Sequence, residues 1–200
     1  SLGISCRWTE TKAASPFPYQ ENCLLYFPVN PTTARFGSGE EADWIAEQIL
    51  YLLTATNGHT LVLFPSYSLM STTAHRLRGR LSVPLMEVRR HAQDVIRQFK
   101  QCENAVLFAS GSCWEGVDFP GDMVSSLILP RLPFSAPDPL SEAEREQYPT
   151  LEDYIHEAVV PEMQRKLRQG FGRAIRTETD VCAAVSYTHL RAHETLRHLV

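Results

Sequence analysis

Short apolar runs separated by helix-spaced stretches leave this chain one class of fold. Leu61-Val62-Leu63-Phe64 and Ala105-Val106-Leu107-Phe108-Ala109 are unbroken, and Val124–Leu129 is a third, mixed run. Each is too short for a buried helix. The first two are too continuous for a strand with one wet face, so they read as strands covered on both sides. Between the runs the spacing turns helical. Trp44, Ile45, Ile49, Leu52 and Leu53 form one stripe, with Gly58 as its stop, and Ala92, Val95, Ile96 and Phe99 form another. Ser66 opens a further helix that reaches about Arg78. This alternation predicts an α/β fold, a mostly parallel sheet with helices on both faces.

Weaker signals complete the outline. Leu24-Leu25-Tyr26-Phe27 is strand-like, inside an irregular, proline-rich segment over residues 1–37. Val83-Pro84-Leu85-Met86 reads as an edge strand, because Pro84 lacks a ladder donor. The run over residues 180–185 begins one more strand. Ser38 with Glu41 has the spacing of a capping box, as do Ser141 with Glu144 and Thr150 with Asp153. Residues 130–139 read as a loop. Pro161 is expected to separate two helical segments, the second running into Gln169.

Composition limits the partners. At 200 residues and 44% hydrophobic, the chain can bury one sizeable core. A net charge of −4 gives no global field for nucleic acid, so such binding needs a local groove. The five cysteines are scattered without a C-x-x-C pair, which argues against a zinc or iron–sulfur site within the chain and fits a reducing compartment. With no signal peptide and no membrane-length apolar run, the expectation is a cytoplasmic protein with no membrane partner.

The chemistry gathers in two segments. In Gln169-Gly170-Phe171-Gly172-Arg173-Ala174-Ile175-Arg176, a glutamine and two arginines stand four and three residues apart, so on a helical backbone they share a face. Two guanidinium forks suit the charge on a transferring γ-phosphoryl group, which makes ATP chemistry the leading reading. The plainer reading is a basic helix, since Arg165, Lys166 and Arg168 lie just upstream. The second segment is the loop from Ser110 to Gly121, directly after a buried strand. Its glycines, Gly116 among them, let backbone approach a ligand, and the Ser110 and Ser112 hydroxyls can donate to phosphate. Glu115 and Asp118 suit hydroxyls, cations or a metal. Trp114 is either a stacking platform for a base or a packing residue. Gly111 and Gly116 have P-loop spacing, but Val117-Asp118 stand where Lys-Ser/Thr is required, and no other segment supplies a P-loop. Arg76, Arg78, Arg80, Arg89 and Arg90 are either solvated helix ends or part of a nucleic-acid groove.

Taken together, these segments resemble a known family. Gln169 to Arg176 is similar to helicase motif VI. Ser110 to Asp122, continued by Leu127-Ile128-Leu129-Pro130-Arg131-Leu132-Pro133-Phe134, resembles motif V of DinG-type superfamily 2 helicases, relatives of XPD. Leu61 to Tyr67 is similar to motif IV. The likeness covers most of residues 10–185, in the family's motif order. It implies the second RecA-like motor domain, over residues 1–185, of an ATP-dependent DNA helicase that moves 5′ to 3′. It further implies that Arg173 and Arg176 reach the ATP phosphates, one as an arginine finger, and that Gln169 orients the site. Gly172, Glu115, Gly116 and Asp118 would face the nucleotide. Ser66, Tyr67, Ser110, Ser112 and Trp114 would meet single-stranded or forked DNA. The P-loop, the acidic motif that holds Mg2+ and any iron–sulfur cluster belong, in this family, to the first RecA-like domain of the same full-length chain. The fragment alone is therefore expected to be inactive. Two other readings stand beside this one: a non-catalytic single-strand binding module, and the motor half of an ATP-driven nuclease or remodeller. Replication-linked repair is a family-level expectation.

Residues 186–200 stand apart. The stretch from Val185 to Thr195 resembles the translation of a transposon-derived sequencing adapter, and is expected not to be native.

Overall fold

The computed structural model describes residues 23–26, 38–56, 59–88, 92–110, 124–135, 138–172 and 182–186. Its frame is one six-stranded sheet. The strands are β1 (Cys23–Tyr26), β2 (His59–Phe64), β3 (Leu85–Glu87), β4 (Val106–Ser110), β5 (Val124–Leu129) and β6 (Cys182–Ser186). They lie in the order β1-β6-β5-β2-β4-β3, and every pairing is parallel. The helices are α1 (Gly39–Ala55), α2 (Tyr67–Leu77), α3 (Ala92–Gln101), α4 (Pro139–Arg145), α5 (Leu151–Tyr154) and α6 (Val160–Phe171). A π-helical turn, Ile155–Val159, joins α5 to α6.

The pleat of β2 divides the core. Leu61 and Leu63 point to one face, Val62 and Phe64 to the other, and none of the four is exposed. The first face is covered by Ile96 and Phe99 of α3 and by Met163 and Leu167 of α6. The second is covered by α1, through Ala42, Ile45, Ala46 and Ile49, and by α2, through Met70, Ala74 and Leu77. This is the doubly covered α/β sheet that the apolar runs require. Each fully buried Val, Leu, Ile or Phe contributes about 1.5–3 kcal/mol of transfer free energy. The second face adds Phe64 against Phe108, with ring centroids 4.8 Å apart.

Local rules account for the boundaries. Ser38 caps α1, its Oγ accepting from the Glu41 amide at 3.2 Å. Ser66 caps α2 in the same way, accepting from the Leu69 amide at 3.3 Å. β3 sits at the sheet edge and begins only after Pro84, whose carbonyl still accepts from the Val106 amide at 2.9 Å. Gly58 lies outside the described residues, and α1 ends at Ala55 with Thr56 as its cap.

One helix expectation needs correction. The Ser141 start is displaced, because Asp138 is the cap of α4 and Pro139 stands in its first turn. Ser141 instead closes a reciprocal box: its Oγ accepts from the Asp138 amide at 2.9 Å and donates to the Asp138 carbonyl at 2.9 Å, while its amide donates to the Asp138 carboxylate at 2.7 Å. Pro161 stands in the first turn of α6, the second helical segment, which runs through Gln169 to Phe171 as expected. Helical dihedrals persist at Tyr154, Ile155, Val159 and Val160, and the hydrogen-bond register widens just before the proline. Proline has no amide to donate, so a local π register accommodates it without ending the rod.

Candidate functional site

In an all-parallel sheet the carboxyl ends of the strands share one edge, and the loops leaving them converge there. Phe64 at the end of β2 pairs in register with Ser110 at the end of β4. Ser66 and Tyr67 leave β2 at once. Ser66, Tyr67 and Ser110 therefore stand on neighbouring strands at the same edge. Ser66 is exposed, Tyr67 is 48% exposed and Ser110 is half-buried. Because the Ser66 Oγ accepts from Leu69, its own proton remains available for donation outward.

Gln169 lies near the end of α6, whose Met163 and Leu167 anchor the helix on the sheet. Its side-chain Oε1 is buried and has no hydrogen-bond partner among the described residues. A buried, unpaired amide oxygen is costly and calls for a reason, such as a group that arrives later. Gly172 caps α6 at φ −63° and ψ −5°, with its amide donating to the Arg168 carbonyl at 2.9 Å. A Cβ there would lie 3.4 Å from that carbonyl oxygen, an ordinary contact, so the fold itself does not demand glycine. Ser112, Trp114, Glu115, Gly116, Asp118, Arg173 and Arg176 lie outside the described residues.

Two polar assemblies at this edge escaped the sequence reading. Arg131, two residues beyond β5, grips Glu41 in the first turn of α1. Its Nε donates to Oε1 at 2.6 Å and its Nη2 to Oε2. The side chains are only 24% and 8% exposed. Arg131 stands inside the motif V continuation, but nothing in the local sequence couples it to a residue ninety positions earlier. The second assembly ties the loop after β5 to α6. The Ser135 hydroxyl donates to Glu162 at 2.7 Å, and Lys166 Nζ reaches Ser135 at 2.6 Å and Glu162 at 2.9 Å. The Ser135 hydrogen bond, then that of Lys166, hold the Glu162 carboxyl below its ordinary pKa. Lys166 thus belongs to a packing contact of the helix that carries Gln169.

The basic cluster on α2 resolves into ion pairs. Arg76 meets Asp43 at 2.5 Å, Arg80 meets Glu47 at 2.7 Å, and Arg78 approaches Glu87 at 3.7 Å. The first two clip α1 to α2 on the surface, where such pairs contribute about 0.2–1 kcal/mol. Arg89 and Arg90 lie outside the described residues. Among those residues no group of three or more His, Cys, Asp or Glu side chains could hold a metal, and no helix is long and apolar enough to cross a membrane.

A fully parallel sheet covered by helices on both faces, with polar groups gathered at its carboxyl edge, defines a doubly covered α/β domain. Residues 49–190 match the family model described as helicase C-terminal domain, and the chain belongs to that family. It is 34% identical over 170 residues to the ATP-dependent DNA helicase YoaA of Escherichia coli K12, covering 83% of this chain and 26% of that protein. It is 31% identical over 177 residues to the ATP-dependent helicase DinG of Mycobacterium tuberculosis H37Ra, covering 86% of this chain and 26% of that one. The chain thus spans about a quarter of the length of these relatives. A solved XPD helicase superposes with a TM-score of 0.67 at 20% identity, over 89% of this chain and 34% of that structure, a likeness of fold.

Proposed function

We propose that this chain is the second motor domain of an ATP-dependent DNA helicase, and that it supplies the motif VI arginines to an ATP site shared with a first RecA-like domain. The observation that carries the proposal is the family match over residues 49–190, which includes the whole Gln169–Arg176 segment. The unpaired Gln169 Oε1 supports it, since a side chain awaiting a partner fits a site completed by ATP or by the other domain.

In this reading Arg173 and Arg176 stabilise the charge that spreads over the γ-phosphoryl oxygens, and Gln169 holds the attacking water or the arginines in line. Glu115, Gly116, Asp118 and Gly172 border the nucleotide. Mg2+ is bound by the partner domain, which also carries any iron–sulfur ligands. Ser66, Tyr67, Ser110, Ser112 and Trp114 hold the strand, with hydroxyls to phosphate and rings to bases. Bound ATP bridges the two domains and favours their closed arrangement. Hydrolysis removes the bridge, and alternating grip on single-stranded DNA then gives stepping, 5′ to 3′. The chain alone has half a site and turns over no ATP. The test is ATP turnover by the whole helicase with Arg173 or Arg176 replaced by alanine.

A further inference from the structure

Residues 138–162 carry eight acidic side chains against Arg145 alone, a net charge of −7 in a chain whose total is −4, so the remainder is +3. This charge sits on an arm. Neither α4, α5 nor the π turn contributes a buried residue, so the arm is not there to build the core. It is nonetheless firmly made. Asp138 and Thr150 cap its helices, and the Tyr148 and Tyr154 rings pack with centroids 5.4 Å apart.

The arm also concentrates exposed apolar surface. Leu140 is 79% exposed, Leu151 54% and Ile155 39%. Leu151 and Ile155 are one helical turn apart and share a face. Phe134, in the loop leading to the arm, is 49% exposed, so half of the eight large exposed hydrophobic side chains among the described residues lie in or beside this one segment. The acids converge on the same place. Partial burial, then the charges of Glu144, Glu162 and Asp138, push the Tyr154 hydroxyl up from its ordinary pKa, which puts acids of α4, its cap and α6 near one ring.

We propose that the α4–α5 arm is a docking surface for a positively charged, amphipathic segment of a separate protein. Apolar side chains of that segment would cover Leu140, Leu151 and Ile155, and its Lys and Arg side chains would meet the acidic rim. Charge complementarity selects this occupant. Nucleic acid would be repelled by the arm, and a second copy would set −7 against −7. The test reads peptide binding alone and needs neither ATP nor DNA, so it does not depend on that reading.

The probe is a fluorescent synthetic peptide with Leu and Lys at helical spacing, titrated with the intact 200-residue chain and read by anisotropy. The double variant Leu151→Ser, Ile155→Ser, and separately Glu144→Gln with Glu152→Gln, should each weaken binding about tenfold. Leu140→Ser, in the first turn of α4 and on a different helix from Leu151, serves as an independent apolar variant with the same expected direction. A peptide of equal charge with Ser in place of Leu should bind about tenfold more weakly. Glu40→Gln with Glu103→Gln, exposed acids off the arm, should change nothing. Equal binding by all arm variants would overturn the proposal. So would loss with the charge variants alone, which marks unspecific attraction. Displacement of the peptide by a single-stranded oligonucleotide, or a dimer that the Leu151→Ser, Ile155→Ser variant dissolves, would assign the surface to another occupant.

Discussion

Arg131, just past the end of β5, holds the Glu41 carboxylate at the start of α1 with both arms of its guanidinium fork. This pair is the tie between the sheet's central strand ends and the first turn of a helix on one face. Both side chains are largely out of water. Removing one partner takes from a largely buried charge the fork that faces it, whereas removing both removes the two charges together. Arg131→Met should therefore destabilise the domain by about 3 kcal/mol or more, and Glu41→Leu together with Arg131→Met by clearly less than the sum of the two single changes. Urea denaturation of the four proteins measures this. Additive effects would mean that the pair is not coupled.

Gly172 separates fold from ligand. Its φ is negative and a methyl group would meet only ordinary contacts, so Gly172→Ala should leave thermal stability unchanged or raise it by about 0.4–1 kcal/mol through the unfolded chain. If the nucleotide approaches this backbone, the same variant raises the KM for ATP in the whole helicase. A lowered melting temperature would contradict the geometry, and an unchanged KM would remove Gly172 from the nucleotide site.

Ser66 has two roles to distinguish, helix cap and DNA contact. Ser66→Ala should cost about 1 kcal/mol, because the Leu69 amide loses its acceptor. Ser66→Asp keeps the cap and adds a negative charge at the strand edge. Thermal melts should show Ser66→Asp near the parent, while filter binding shows it holding single-stranded DNA more weakly. Parent-like DNA affinity for Ser66→Asp would take Ser66 off the strand's path.

Glu162 gives the pH dependence a sign. Its folded pKa is depressed below its ordinary 4.5 by Ser135 and Lys166. A depressed carboxylate contributes stability that is present above its unfolded pKa and lost as pH falls through the folded one. Part of the domain's acid destabilisation below about pH 4.5 should therefore vanish in Glu162→Gln, while that variant is less stable than the parent at pH 7. Parallel stability-versus-pH curves for the two proteins would contradict the assignment.

The sheet was legible because burial on both faces writes itself into sequence. Leu61 to Phe64 and Ala105 to Ala109 have no polar alternation, and only a covered parallel strand accommodates that. Caps at Ser38 and Thr150 were legible for a similar reason, since an orphan amide needs a nearby side-chain oxygen. Asp138 was missed because Ser141 offers an equally good local signal, and only the chain's entry angle at Pro139 decides between them. The Glu41–Arg131 and Ser135–Glu162–Lys166 assemblies were invisible because partners far apart in sequence leave no periodicity. Glu41 in particular satisfied a local pattern that accounted for it without reference to Arg131. Of the expected site residues, Ser66, Tyr67 and Ser110 stand at one edge through the β2–β4 register, a strand adjacency that no local pattern reveals.

The central claim is that this domain supplies the arginines that act on ATP. Its most direct test is DNA-stimulated ATP turnover by the whole helicase carrying Arg176→Ala, with single-strand binding measured on the same preparation. The account predicts that turnover falls by about 10³-fold or more while most of the DNA affinity remains. Undiminished turnover would contradict it.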